Sequence, residues 1–216
     1  MSTEVQIPVG ERVLDADLAG PDSPEGVVAF AHGSGSSRHS PRNREVAAVL
    51  QEAGLATLLA DLLTPEEEQA DLRTGHLRFD IGLLAERVVA IIRWLSVEPT
   101  SAGLAIGLFG ASTGAAAALV AAARQPEDVS AVVSRGGRPD LAGADLGAVR
   151  APTLLIVGGR DDVVLGLNQR ALRELRGEKR LEVVPGASHL FEEPGALQTV
   201  ASLARSWFLE HLPKVA

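Results

Sequence analysis

The stretch Leu104-Ala105-Ile106-Gly107-Leu108-Phe109-Gly110-Ala111-Ser112-Thr113-Gly114, followed by Ala115-Ala116-Ala117-Ala118-Leu119-Val120, decides the architecture. Leu104 to Phe109 is a short apolar run without polar alternation. Such a run reads as a strand covered on both faces, the habit of parallel sheets. Thr113 to Arg124 is Ala-rich and reads as a helix. Between them, Gly110-Ala111-Ser112-Thr113-Gly114 forms a G-x-S-x-G turn. A strand turning this sharply into a helix strains its central residue and leaves that residue's hydroxyl exposed. Glycine at the flanks avoids the clash a side chain would make. The helix N-terminus behind Ser112 favours negative charge nearby.

The same pattern repeats outward. Val27 to Ala31 reads as a buried strand ending at His32-Gly33. Ser40 caps a helix with Pro41 in its first turn and Val46, Val49, Leu50 and Ala53 on its inner face; Gly54 stops it. Leu55 to Ala60 is the next strand, and Asp61 to Arg78 reads as a polar loop holding Glu66-Glu67-Glu68. Asp80 caps a helix in which Ile81, Leu84, Val88, Ile91 and Leu95 recur at helical spacing. Ala131 to Ser134, Thr153 to Val157 and Leu181 to Val184 are further strands. Leu167 to Leu175 is helical. Pro194 opens a last helix with Val200, Leu203, Trp207 and Phe208 inside. Val5 to Leu18 supplies one or two edge strands. The expectation is one α/β domain over residues 1–216: a mostly parallel sheet of about eight strands with helices on both faces. Only Arg135 to Arg150 separates two of the strands, too little for a cap domain. An open, shallow site is expected, roofed by the Asp61–Arg78 and Arg135–Arg150 loops.

Composition narrows the function. The 216 residues are 46% hydrophobic and 22% charged, with a net charge of -8. That balance fits a packed globular chain and argues against a nucleic-acid or anionic-membrane surface as partner. There is no cysteine, so disulfides, thiolate metal sites and a Cys nucleophile are excluded. No apolar run is long enough for a membrane helix, and the start Met1-Ser2-Thr3-Glu4-Val5 lacks a signal-peptide pattern. A cytoplasmic location is the expectation. No metal or cofactor cluster is visible.

In a parallel sheet the chemistry sits at the carboxyl ends of the strands. Here those ends carry Ser112, then Gly158-Gly159-Arg160-Asp161-Asp162, then Gly186-Ala187-Ser188-His189, so the chain order is Ser, Asp, His. His189 reads as the base, whereas His39, His76 and His211 read as surface residues. Asp161, first after the glycine turn, is the preferred acid, with Asp162 the runner-up. The small-residue loop His32-Gly33-Ser34-Gly35-Ser36-Ser37 suits an oxyanion hole, and Thr113 N–H, next to the nucleophile, supplies one donor. No G-x-x-x-x-G-K-[ST] or G-x-G-x-x-G pattern supports a nucleotide site.

With these motifs, His32-Gly33-Ser34-Gly35, Gly110-Ala111-Ser112-Thr113-Gly114, Gly158-Gly159-Arg160-Asp161 and Gly186-Ala187-Ser188-His189, the chain resembles the α/β-hydrolase superfamily from about Val5 to Phe208. Within it, the chain is similar to the small dienelactone-hydrolase-like branch. Dienelactone hydrolases proper use a cysteine nucleophile, where this chain has Ser112. Chains like this one also occur fused to a phosphoribosyltransferase domain. The resemblance implies Ser34 N–H as the second oxyanion donor and a serine hydrolase of small esters or thioesters without cofactor, whose uncapped site favours acetyl to butyryl esters. An acyltransferase or perhydrolase on the same fold, and a non-catalytic binding protein, are the alternatives. Arg135 and Arg138, just past a strand end, are candidate anchors for an anionic substrate group, with ion pairing to Asp140 the structural alternative for Arg138.

Overall fold

The computed structural model describes residues 2–212, so Met1 of the amino-terminal stretch and residues 213–216 of the expected domain lie outside it. Eight strands form one sheet in the order β1-β2-β4-β3-β5-β6-β7-β8. β1 (Ser2–Val9) and β2 (Arg12–Ala19) make an antiparallel hairpin, and β2 runs antiparallel to β4 (Ala56–Ala60). From β4 onward, β3 (Val27–Ala31), β5 (Ile106–Ala111), β6 (Val129–Arg135), β7 (Thr153–Gly158) and β8 (Lys179–Val184) are all parallel.

The apolar runs serve both faces because successive side chains alternate. In β3, Val27, Ala29 and Ala31 pack into one core with α3 (Ile81–Leu95), α4 (Thr113–Arg124) and α5 (Asp162–Glu174). Val28 and Phe30 pack into the other with α1 (Pro41–Glu52) and α6 (Ala196–His211). α4 tolerates burial on nearly every side because alanine lets it approach the sheet closely; Ala115 to Ala118 are fully buried. β8, at one edge of the sheet, is exposed or half-buried except at Val184.

The chain leaves β3 for β4 on one side and returns to β5 on the other. Loops diverge at such a reversal and leave a crevice at the carboxyl ends. The loop after β3 and the turn after β5 flank it.

Several expectations need correction. Asp61–Arg78 is no loop: α2 (Pro65–Thr74) fills most of it, followed by a 3-10 turn at Leu77–Phe79. Thr64 Oγ1 accepts the Glu67 N–H and Glu67 returns a carboxylate to the Thr64 N–H, a capping box with Pro65 in the first turn. These signals were in the sequence, but the helix lacks an apolar stripe, so periodicity alone missed it. Arg135–Arg150 is also structured, with 3-10 turns over Pro139–Ala148 broken at Gly143. α5 begins at Asp162, five residues before the expected start, because Asp161 caps it through Val164 N–H. The last helix begins at Ala196 behind Gly195 rather than at Pro194. His211 is not a surface residue: its ring stacks 4.1 Å from Trp207 and its Nε2 lies 3.3 Å from Glu178. No helix among the described residues is long and apolar enough to cross a membrane.

Candidate active site

Ser112 sits between β5 and α4 with φ 50° and ψ -119°. A non-glycine residue there is strained by roughly 1–3 kcal/mol and persists only where its surroundings impose it. The surroundings here are tight. A Cβ on Gly110 would lie 2.3 Å from Ala115 Cα, and one on Gly114 would lie 2.2 Å from the Ala31 carbonyl oxygen. The two flanking glycines therefore press the elbow against its own helix and against the end of β3. The elbow is also pinned from the β6 side. Ser112 N–H donates to Arg135 O at 3.2 Å, and Arg138 N–H donates to Ser112 O at 3.1 Å.

The loop after β3 closes over the elbow. A Cβ on Gly33 would lie 3.1 Å from Ser112 Cβ, and Ser34 N–H donates to Thr113 Oγ1 at 2.9 Å. Ser34 is exposed and Thr113 is buried at the first turn of α4. His32, to which the sequence assigned no individual role, holds this loop to the neighbouring one. It is 8% exposed; Nδ1 faces Gly33 O at 2.9 Å and Nε2 faces the Leu62 N–H at 3.1 Å. Leu62 N–H can only donate, so Nε2 accepts and Nδ1 carries the proton in a neutral ring. Burial pushes the His32 pKa below its ordinary value, against the Gly33 carbonyl and nearby Asp61 and Glu68, which pull it up.

That direction gives a stability prediction. With a lowered folded-state pKa, the unfolded chain binds more protons than the folded one as pH falls below about 6.5, so stability falls through that window. Tm should drop on acidification from pH 7.5 to 5.5, and His32→Gln should flatten that part of the slope. An unchanged slope in the variant would remove His32 from the account.

Asp161 and His189 meet across the ends of β7 and β8. His189 Nδ1 lies 2.7 Å from Asp161 Oδ2, while Asp161 Oδ1 accepts the Val164 N–H at 3.3 Å. Asp161 is therefore a helix cap and a histidine partner at once. Asp162 is exposed in the first turn of α5. The His189 ring lies over Gly136, where an added Cβ would sit 3.5 Å from His189 Cε1. Gly136 follows the residue whose carbonyl accepts the Ser112 N–H, so Ser112 and His189 share the edge of β6. The His189 loop is braced by two residues the sequence reading did not single out. Glu193 Oε1 accepts the Ser188 N–H at 3.0 Å, which with its other backbone contacts holds its carboxyl below the usual range. Phe191 is 1% exposed at φ 56°.

The two candidate anion anchors have protein partners. Arg138 meets Asp140 through two contacts of 2.9 and 2.8 Å. Arg135 is 7% exposed, faces Asn43 Oδ1 at 3.5 Å and lies 5.9 Å from the Phe191 ring centre. Burial, then the nearby Arg42, pushes its pKa down to about 10, so it remains charged at neutral pH.

The family model described as the dienelactone hydrolase family matches residues 14–209. A crystal structure of a dienelactone hydrolase from Anabaena variabilis is 61% identical over 98% of both chains, with a TM-score of 0.97. Est1E from Butyrivibrio proteoclasticus, at 16% identity, covers 96% of this chain and 98% of its own with a TM-score of 0.80, a likeness of fold. Two proteins from strains of Mycobacterium tuberculosis named "Putative phosphoribosyl transferase" are 61% identical over 97% of this chain. The chain spans 46% of their length, about half. By the span of the family match and the identity of these relatives, the chain belongs to the dienelactone hydrolase family.

Proposed function

We propose that the protein is a serine hydrolase of small carboxylic esters or thioesters. One observation carries the reading: a strained serine at a strand-to-helix elbow shares a sheet edge with a histidine held 2.7 Å from a carboxylate. A serine hydroxyl is a poor nucleophile at its own pKa and needs a base. His189 Nε2 takes the Ser112 proton as Oγ attacks the acyl carbon, and Asp161 fixes the Nδ1–H tautomer and stabilises the imidazolium. The oxyanion accepts from Thr113 N–H and Ser34 N–H. Thr113 Oγ1 accepts from the Ser34 N–H at rest; an oxyanion competes well for it, because charged acceptors bind about twice as strongly as neutral ones. His189 then protonates the leaving oxygen, and water, activated by the same base, releases the acid. The partner is a small-molecule ester, and the chemistry needs no cofactor.

The bidentate Asp140 pair and the burial beneath Phe191 support structural duties for Arg138 and Arg135 rather than substrate contacts. The phosphoribosyl transferase name belongs to proteins about twice as long, and residues 14–209 of this chain match the dienelactone hydrolase family. A fluorophosphonate probe should label the intact protein at Ser112, and p-nitrophenyl acetate should be hydrolysed. Labelling elsewhere, or no turnover of any ester, would remove the reading.

A further inference from the structure

A cavity of about 560 Å³, within the range of small-molecule sites, opens against the loop that closes over the elbow. Its near end is Gly33-Ser34-Gly35, the loop whose Gly33 approaches Ser112. Its apolar walls are Leu63 after β4, Leu72 of α2, Leu84 of α3 and Pro41 of α1; the rest of the lining is small or polar, with Asp71 and Arg78 paired to each other and Glu68 and Arg42 beside them. Among the described residues, its lining comes from the segments after β3 and β4 and from α1 to α3. None comes from the segments after β6, β7 or β8.

That one-sidedness assigns the cavity a part of the substrate. A tetrahedral intermediate on Ser112 has three other substituents: the oxyanion, the leaving oxygen and the acyl chain. The oxyanion is held at Thr113 and Ser34. The leaving oxygen must receive its proton from His189, which stands on the β6–β8 side of Ser112. The acyl chain is thereby directed to the opposite side, over β3 and β4, where the cavity lies. Resting on the serine-hydrolase reading, we infer that this cavity is the acyl pocket and that it selects acyl groups with an apolar body larger than butyryl, medium-chain or aromatic.

The wall is built in advance of substrate. α2 is fixed at its start by Glu67, which meets Arg87 at 2.8 Å and Arg12 at 3.1 Å. At its end Asp71 holds Arg78 and the Leu77 N–H. The open, shallow site expected from a polar loop gains a wall on this side because that loop is a helix, while the cavity stays half open to solvent.

The test is a series of p-nitrophenyl esters from acetyl to decanoyl, with benzoyl and cinnamoyl added, alongside acetate esters of alcohols of rising length followed by proton release. kcat/KM should rise two- to fourfold per methylene, up to about octanoyl, in the acyl series. It should stay nearly flat in the alcohol series. Leu84→Trp, at a 3% exposed wall position, should lower the octanoate-to-acetate ratio of kcat/KM by tenfold or more. Leu72→Gln is 76% exposed, so it tests the wall without straining the core, and should lower the ratio three- to fivefold. A flat or falling acyl profile, a length dependence confined to the alcohols, or unchanged ratios in folded variants overturns the acyl-pocket inference while leaving the hydrolase reading. No turnover of any ester overturns both.

Discussion

Ser112→Ala should abolish ester hydrolysis, with a loss of up to about 10⁶ in kcat where nucleophile and base act as a unit. The size follows from covalent chemistry: without Oγ no acyl-enzyme forms, and what remains is whatever the oxyanion donors contribute to direct attack by water. The fold should survive. Alanine carries the same Cβ as serine, so the positive φ at this position costs both residues alike, and the Ser112 N–H and carbonyl contacts to β6 are main-chain. Kinetics, probe labelling and a thermal melt on one preparation test this together. Retained activity or retained labelling in a variant with wild-type Tm would move the nucleophile elsewhere.

Asp161→Asn should lower kcat by about 10⁴, the scale seen when a triad acid loses its charge but not its shape. The asparagine can still cap α5 through its side-chain oxygen, so Tm should change little. Its amide nitrogen then faces His189 Nδ1. A donor there forces Nδ1 to accept and puts the proton on Nε2, the atom that must take the proton from Ser112. Asp162→Asn, exposed in the first turn of the helix, should stay within about tenfold of wild type, since it loses only a charge near the helix N-terminus. Equal losses in the two variants would mean that the effect is electrostatic at long range rather than tautomeric. A larger loss in Asp162→Asn would reassign the acid.

Much of the molecule was legible residue by residue, because strong local signals and tertiary demands agreed there. β3 was read at its observed bounds, since five consecutive apolar residues bury on both faces. Ser40-Pro41 started α1 and Asp80 started α3 as capping chemistry requires. Ser112, Asp161 and His189 stand just past strand ends, where a parallel sheet gathers loops from distant parts of the chain.

What depended on the tertiary structure is of a different kind. α2 is rich in glutamate and exposes its one leucine, so hydrophobic periodicity could not reveal it; it is held by a capping box and by Arg87, Arg12 and Arg78. Its position places a helix along one side of a site expected to be roofed by a loop. For Arg138 the sequence left two partners open, a substrate anion or Asp140 two residues on, and the fold pairs it with Asp140. The duties of His32, Phe191 and Glu193 are contacts between loops, invisible until the loops are adjacent. The sequence by itself determined the buried strands, the helices that carry an apolar stripe and which residue types end each strand, because those rest on local propensity and periodicity. Which polar group meets which across the sheet edge, and on which side of the serine the cavity opens, depends on the order in which the strands assemble, and that order is a property of the whole chain.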